Sequence, residues 1–346
     1  MRRRYWKCNC SIGGSYAADA IVGVDGRFSR VVQKHACRLS AETAFGKTRV
    51  HLKEMLGVRI CANTVRTMVE GHGKAMARFQ PQDTASEAAF RQAEGEVEFT
   101  VDAGKVNTRE EGWKDLKIAV IQKRKAGLPV SPSEGKKKQR LPAATFTLAF
   151  AMIATIGVFR RSWGRRLRRL GVDCFGAVYV LADGASWIWK AVQRVLTGCM
   201  ETLDYYHACQ HVNKAAQRIF GKETDEAKAA FKRGRWLLLS QGWKGVCAWA
   251  GELMSVPDSA ECERRRPSIE RLFGYFSKHI NRLNYAERLQ TGRAIGSGVV
   301  EGQAKTIGLR LKSRGARWKM DNVRPMASLV CVRHSDQWQA YWAQAA

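Results

Sequence analysis

Three carboxylates in this chain stand where ordinary packing gives an acid little reason to be. Asp102 closes the alternating segment Val97-Glu98-Phe99-Thr100-Val101-Asp102, and Gly104 just beyond leaves room for another chain to approach. Asp183 follows the near-continuous apolar run Ala177–Ala182 and precedes Gly184. Glu301 falls in the first turn of a helix expected after Gly296-Ser297-Gly298, with Lys305, Gly308 and Lys312 on its face at i+4, i+7 and i+11. Hard divalent cations prefer carboxylate oxygens, and Mg²⁺ keeps waters and substrate phosphates in the rest of its shell. Two such ions about 3.5–4 Å apart assist phosphodiester displacement, and three clustered acids repel one another unless cations lie between them. Each acid also has a plainer reading. Asp183-Gly184 can be an Asx turn, Asp102 a surface acid, and Glu301 a partner for the helix dipole or Lys305. Glu98, Asp115 and Asp173 compete for the same role.

The elements that must position these acids are legible in outline. Residues 97–102 alternate as a half-buried strand, and 114–122 place Leu116, Ile118 and Val120 on one face of a second, with a polar hairpin connection between them. Residues 125–142 are rich in Pro, Gly and Lys and read as a surface excursion. Leu141 to Phe159 carries no charge. Its Ala, Thr, Gly157 and Pro142 content, and its continuation as the seam Phe159, Trp163, Leu167, Leu170, favour a buried helix over a membrane span. That helix ends near Gly171. The run 177–182 has the character of a central strand buried on both faces, and the carboxyl end of such a strand is where open α/β sheets build sites. A short strand ending at Leu203-Asp204, helices through 207–290 anchored by Trp236, Trp243 and Trp249, and a helix from Val299 to about Ser313 complete the order. Upstream, the first 37 residues read as short strands. A helix from Ser40 broken at Gly57, then a second capped by Asn63, give a helix-turn-helix outline.

The chain has 346 residues, 59 Lys and Arg against 31 Asp and Glu, and a net charge of +28. This excludes an ordinary neutral metabolic enzyme as the first reading and points to a polyanion, DNA before membrane. Ten scattered cysteines read as reduced intracellular thiols rather than a disulfide frame, and the basic start lacks the apolar stretch of a secretion signal. Cytoplasmic residence at the nucleoid is expected. Cys8, Cys10, His35 and Cys37 offer four candidate zinc ligands at an unusual spacing. Arg160, Arg161, Arg165, Arg166, Arg168 and Arg169, with Lys305, Lys312, Arg314 and Arg317, are candidates for phosphate contacts. Trp187, Trp189 and Trp318 are candidates either for base stacking or for core packing.

Four strings resemble the insertion-sequence transposases of the ISKra type, a DDE-class family. Val101-Asp102-Ala103-Gly104 with Gly112-Trp113-Lys114-Asp115-Leu116-Lys117 is similar to the first-strand hairpin, with Ala103 where the family more often has Gly. Leu181-Ala182-Asp183-Gly184-Ala185-Ser186-Trp187-Ile188-Trp189 resembles the strand-end DGA-x-WI motif, and Leu203-Asp204-Tyr205-Tyr206-His207-Ala208 the LDFYHA stretch. Ile295-Gly296-Ser297-Gly298-Val299-Val300-Glu301, with Arg310-Leu311-Lys312 and Arg317-Trp318, is similar to the C-terminal block. The matches fall in family order across about residues 97–345. The resemblance implies a mixed α/β, ribonuclease H-like fold with a helical insertion before the last acid. It also implies Asp102, Asp183 and Glu301 as the catalytic, metal-holding triad, with Asp204 and His207 as auxiliaries and Trp318 near the DNA. Two Mg²⁺ ions, replaceable by Mn²⁺, DNA as element ends and target, and a dimer or larger assembly follow from the same resemblance.

The expected organisation is 1–39 a short strand-like region, 40–92 a helical DNA-binding region, 93–206 the first part of the core, 207–290 the helical insertion, and 291–346 the C-terminal helices. Two other readings stay open at this point: a DNA-binding regulator or inactive relic without catalysis, and a structure-selective nuclease on the same fold.

Overall fold

The structure is a computed structural model that describes residues 6–7, 14–15, 19, 24–25, 27–134, 141–313 and 316–344. Its centre is a five-stranded mixed sheet. Strand β1 (Glu96–Thr108) and β2 (Gly112–Arg124) form a long antiparallel hairpin, and β3 (Phe146–Met152) continues it antiparallel at the edge. On the other side of β1, β4 (Val178–Ala182) and β5 (Met200–Leu203) run parallel to it. The spatial order is β3-β2-β1-β4-β5, the mixed order of a ribonuclease H-like sheet. The hairpin turns within three residues, since Thr108 pairs with Gly112 at φ +67. The polar residues expected as a long connection are therefore the outer rungs of the ladder.

Helices cover both faces. Helix α1 (Arg30–Ser40), α2 (Phe45–Leu56) and α3 (Ala62–Phe79) pack on one another, and α4 (Thr84–Gln92) leads into the sheet. Helix α5 (Ile156–Leu170) follows β3, and α6 (Ser186–Val192) links β4 to β5. After β5 come α7 (Tyr205–Phe220), α8 (Asp225–Gln241), α9 (Trp243–Met254), α10 (Ser259–Phe276) and α11 (Tyr285–Gln290). This is the helical block expected over 207–290. Helix α12 (Gly298–Leu311), α13 (Met320–Arg333) and α14 (Gln337–Gln344) return to the sheet. Helix α12 lies against β1 and β2, and α13 packs on α3 and β3.

The two sheet faces feed two separate apolar cores, which explains one clear departure from expectation. Residues 141–159 are not a continuous helix: 146–152 form β3, and the helix starts only at Ile156, capped by Thr155. Phe146, Leu148 and Phe150 enter one core, while Ala149 enters the other. A strand covered on both faces reads as an unbroken apolar run, and periodicity cannot separate it from a buried helix segment. The helix does end at Gly171, whose φ of +71 suits a left-handed cap. Among the described residues no helix is long and apolar enough to cross a membrane.

Three smaller expectations also change. Upstream of Ser40 the chain is already helical from Arg30, because the Ser29 hydroxyl accepts the Val32 N–H at 3.4 Å and starts α1. Helix α3 starts at Ala62 with the Cys61 sulfur as cap. Asn63 instead accepts from Arg66. Among the expected tryptophan anchors Trp249 is buried and Trp243 packs half-buried on the same core against Phe273, but Trp236 is 42% exposed. On α8 the buried residues are Ala227, Gly234, Leu237, Leu238 and Leu239, and Trp236 is exposed together with Lys232 and Arg235.

Candidate active site

Register brings the first acids together. Val101 on β1 pairs with Ala182 on β4, and Ala182 pairs with Leu203 on β5. The next residue on each of these three parallel strands is an aspartate: Asp102, Asp183 and Asp204. Neighbouring strands lie about 4.8 Å apart, so a row of acids crosses the sheet at the carboxyl ends of β4 and β5 and midway along the longer β1. Asp102 sits opposite Ile118 on β2, and Ile118 shares its core with Val300 and Ile307 of α12. The sheet face that carries Asp102 is thus the face that α12 covers, and α12 carries Glu301.

Asp204 locks this arrangement. It is fully buried. Oδ1 accepts the His207 backbone N–H at 2.7 Å, capping α7, while Oδ2 accepts the Ser297 backbone N–H at 2.5 Å. Ser297 Oγ stands 2.8 Å from Asp204 Oδ2 and 3.1 Å from Glu301 Oε1. His207 Nδ1 lies 3.4 Å from Asp204 Oδ1 and 3.9 Å from Glu301 Oε1. One oxygen or nitrogen from each of Asp204, His207 and Glu301 falls within 4.8 Å of the others, a spacing that can hold a metal ion. Among the described residues Glu301 pairs with Ser297 and His207 and not with Lys305.

The electrostatics mark the cluster as short of positive charge. Burial pushes the Asp102 carboxyl above its usual range, and the charges of Asp183 and Glu301 push the same way against the Ala103 N–H and His207. Contact with Asp204 raises the His207 imidazole against partial burial, and Asp183 and Glu301 add to the rise. Burial opposes ionisation of Asp204, but contacts from His207 and Ser297 outweigh it and hold the carboxyl below the ordinary value. An oxygen-rich set with one imidazole and uncompensated negative charge fits Mg²⁺ or Mn²⁺.

Two glycines make the close approaches possible. A Cβ on Gly296 would stand 2.5 Å from the Tyr206 ring and 3.3 Å from Asp204 Oδ2. A Cβ on Gly184 would stand 2.5 Å from Tyr275 Oη, and Tyr275 is held from behind by His211, stacked at 3.5 Å. Asp183 itself accepts the Ala185 N–H at 2.9 Å, and its carbonyl accepts the Trp189 indole N–H at 2.8 Å. We expect Gly184→Ala to destabilise the protein by about 1–3 kcal/mol through overpacking. Gly176→Ala, with no atom within 4 Å of the added Cβ, should be close to silent. Paired denaturant melts check this.

The competing acids are engaged elsewhere. Glu98 is buried against Arg124 at 3.1 Å, Asp115 faces Lys105 at 3.9 Å, and Asp173 lines an arginine-rich hollow. That hollow, about 470 Å³, is bordered by Arg160, Arg161, Arg165, Arg168 and Arg194. Arg166 departs from the expected phosphate-binding set. Its Nε and Nη1 are buried and its guanidinium lies 4.5 Å from the Phe150 ring centre, so it serves packing. Arg169 is exposed but tied to Glu87 at 2.5 Å. Lys305, Lys312 and Arg317 are exposed, and Arg317 shares a second cleft with Arg66, Arg109 and Lys319. Arg314 lies outside the described residues.

Trp318 is buried and donates to the Leu311 carbonyl at 2.9 Å, and Trp189 is buried as well, so both act in packing. Trp187 is half-buried against Phe159. Of the candidate zinc ligands, Cys8 and Cys10 lie outside the described residues. Cys37 is fully buried in the core, where burial pushes its thiol up, away from the thiolate that zinc needs. Ser297, the link between Asp204 and Glu301, escaped sequence reasoning. Its one local signal is a hydroxyl set inside the Gly296-Ser297-Gly298 turn, four residues before Glu301.

Residues 173–246 match the profile of the ISL3 family of DDE transposases, described as "Transposase". The segment spans β4 to the start of α9 and includes Asp183, Asp204 and His207. The motifs resemble the ISKra group while the matching profile is ISL3, and the class common to both is the insertion-sequence DDE transposase. No curated protein matches the chain. Among solved structures, the Drosophila P element transposase strand transfer complex is similar at 10% identity and a TM-score of 0.44, over 91% of this chain and 94% of that one.

Proposed function

We propose that this protein is a DDE transposase that cuts DNA at the ends of a mobile element and joins the released 3′-OH to target DNA. The observation that carries this reading is the aspartate row across β1, β4 and β5 with Glu301 brought over it by α12, in a chain of charge +28. Asp102, Asp183 and Glu301 would hold two Mg²⁺ ions, with Mn²⁺ as a substitute. Bound there, such ions activate the attacking oxygen and stabilise the leaving one. Water would first attack phosphorus at the element end, forming a P–O bond as the P–O3′ bond breaks and the 3′-OH leaves. That 3′-OH would then attack a target phosphorus in line, expelling the target strand's own 3′-OH, with no covalent protein intermediate.

The chain's own residues contribute position and charge. Asp204 fixes the α7 start and the 296–298 turn together, so Glu301 and His207 keep a set separation. His207, raised toward its cationic form, offsets part of the acid charge and can hold a proton near the cut. The hollow bordered by Arg160, Arg161, Arg165 and Arg168, and the cleft with Arg66, Arg109, Arg317 and Lys319, provide two concave cationic surfaces for phosphates. Lys305 and Lys312 extend them along α12. Helices α1–α3 would recognise element ends, and two copies would bring two ends together.

A cleavage and strand-transfer assay with Mg²⁺ on element-end DNA tests the proposal. Both cut and joined products are expected. Cutting without joining would make the protein a nuclease, and binding without either product a regulator. For the cationic hollow, replacing Arg161, Arg165 and Arg168 with Ala is expected to weaken duplex binding uniformly across sequences. The slope of log K against log salt should become shallower by about 3. An unchanged slope in a salt titration would remove the hollow from the DNA path.

A further inference from the structure

A cavity of about 770 Å³ opens between the start of α7, one side of α8 and the segment Pro132-Ser133-Glu134, whose Glu134 is an acid in the lining, and none of its residues belongs to the carboxylate site. Its walls include Tyr205, Tyr206, Phe231 and Trp236, and its rim includes Lys232 and Arg235. The α8 contribution has a simple helical origin. Lys232, Arg235 and Trp236 recur at i, i+3 and i+4 and so share one exposed stripe, while Leu239, one turn further on, is buried in the core at the cavity's edge. The opposite side of α8 is seated hard against its neighbours: a Cβ on Gly234 would lie 2.6 Å from Trp249 and 2.7 Å from Val212. Rotation of the helix is blocked, and the stripe is held outward.

Large aromatic side chains on a helix surface usually cover a core. Here Trp236 is 42% exposed and Tyr206 is 38% exposed, on facing elements. Arg233, fixed by Glu252 at 2.6 Å, lies 5.3 Å from the Trp236 ring centre and limits its rotamers. One wall residue leads toward the acids. Tyr206 packs on Gly296 next to Asp204 and directly precedes His207.

Aromatic faces beside a track of cations, a residue away from phosphodiester chemistry, match the needs of an unpaired nucleotide: a π face for the base and a cation for its phosphate. The volume lies within the range of small-ligand sites, about 300–1,000 Å³. We propose that this cavity holds an unpaired nucleotide of the DNA being processed, with its base on Trp236 and Tyr206 and its phosphates on Lys232 and Arg235. The proposal rests on the DNA-processing reading above, but its test does not need cleavage.

The probe is a single strand of about 12 nucleotides carrying one 2-aminopurine, alongside a duplex of the same sequence, both titrated with the full chain. Trp236→Leu keeps apolar contact while removing the π face, and Trp236→Phe restores one. Trp236→Leu is expected to weaken single-strand binding about tenfold, the effect of losing one stacked base, with duplex binding within about twofold. Quenching of 2-aminopurine on binding should fall in Trp236→Leu and return in Trp236→Phe. Equal single-strand affinity and equal quenching in wild type and Trp236→Leu would overturn the proposal, and so would a loss shared equally by the duplex. A wild type that never cuts DNA yet shows the expected pattern would sink the transposase reading while leaving the nucleotide pocket standing.

Discussion

Asp183→Asn and Glu301→Gln are each expected to lower Mg²⁺-dependent DNA cleavage by about a thousandfold or more, while duplex binding stays within a few-fold of wild type. The two parts have separate physical origins. Cation-assisted displacement is worth several kcal/mol of transition-state stabilisation, and each 1.36 kcal/mol is a factor of about ten in rate. Removing one anionic oxygen from a site already short of positive charge leaves too little to hold the ions. Duplex affinity comes from cationic surface spread over the molecule, which neither change touches. The same logic gives a reading without turnover. Added Mg²⁺ or Mn²⁺ should raise the melting temperature of the wild type, because a ligand that binds only the folded state stabilises it by mass action. It should do so far less in either variant. Full cleavage by Glu301→Gln would show that the oxygen over the aspartate row is not a working ligand.

Asp204→Ala should be the most destabilising single change in the site. The side chain is fully buried and accepts the backbone N–H groups of both His207 and Ser297, with Ser297 Oγ 2.8 Å away. Truncation strips the cap from α7, about 1 kcal/mol. It also strands the Ser297 donors in the interior, a further 1–3 kcal/mol. We therefore expect a loss of about 2–4 kcal/mol in denaturant melts, together with loss of cleavage as the turn carrying Glu301 comes free.

Asp204→Asn separates charge from shape, since its amide oxygen still caps His207 but its NH₂ cannot accept from Ser297. The pH dependence has a defined sign. The folded carboxyl is held below the ordinary Asp value of about 3.9. Its contribution is therefore fully present above that pH and is lost as pH falls through the depressed folded value. The gap in stability between wild type and Asp204→Asn should stay constant near neutrality and close only in strong acid. A gap that closes between pH 6 and 8 would assign the effect to His207 instead.

The candidate ligands stand out in the sequence because each lies at a place where local pattern and residue type disagree. An acid at the end of a buried strand run, as at Asp183, or on the first turn after a glycine turn, as at Glu301, is visible without coordinates. So were the helices of 207–290, the strand within the apolar run 177–182 and a short strand ending at Leu203. Residues 146–152 were misread as helix because β3 is covered on both faces, which erases the alternation that marks a strand. Trp236 was misread as an anchor because aromatic identity says nothing about which way a packed helix is turned.

Residue type and local spacing were enough, by themselves, to nominate side chains that could ligate a cation, to mark the strand that ends before Asp183 and the helix that ends at Gly171, and to point toward a polyanion as partner. Tertiary structure alone decided that Val101, Ala182 and Leu203 share one register row, so that three aspartates distant in sequence become neighbours. It alone decided that Ser297 ties Asp204 to Glu301, and that Arg166, Cys37 and Trp318 turn inward. Short-range pattern reports which face of an element is apolar. Register between strands, and the rotation of a helix against its neighbours, are set by contacts between segments tens to hundreds of residues apart, and no local window contains them.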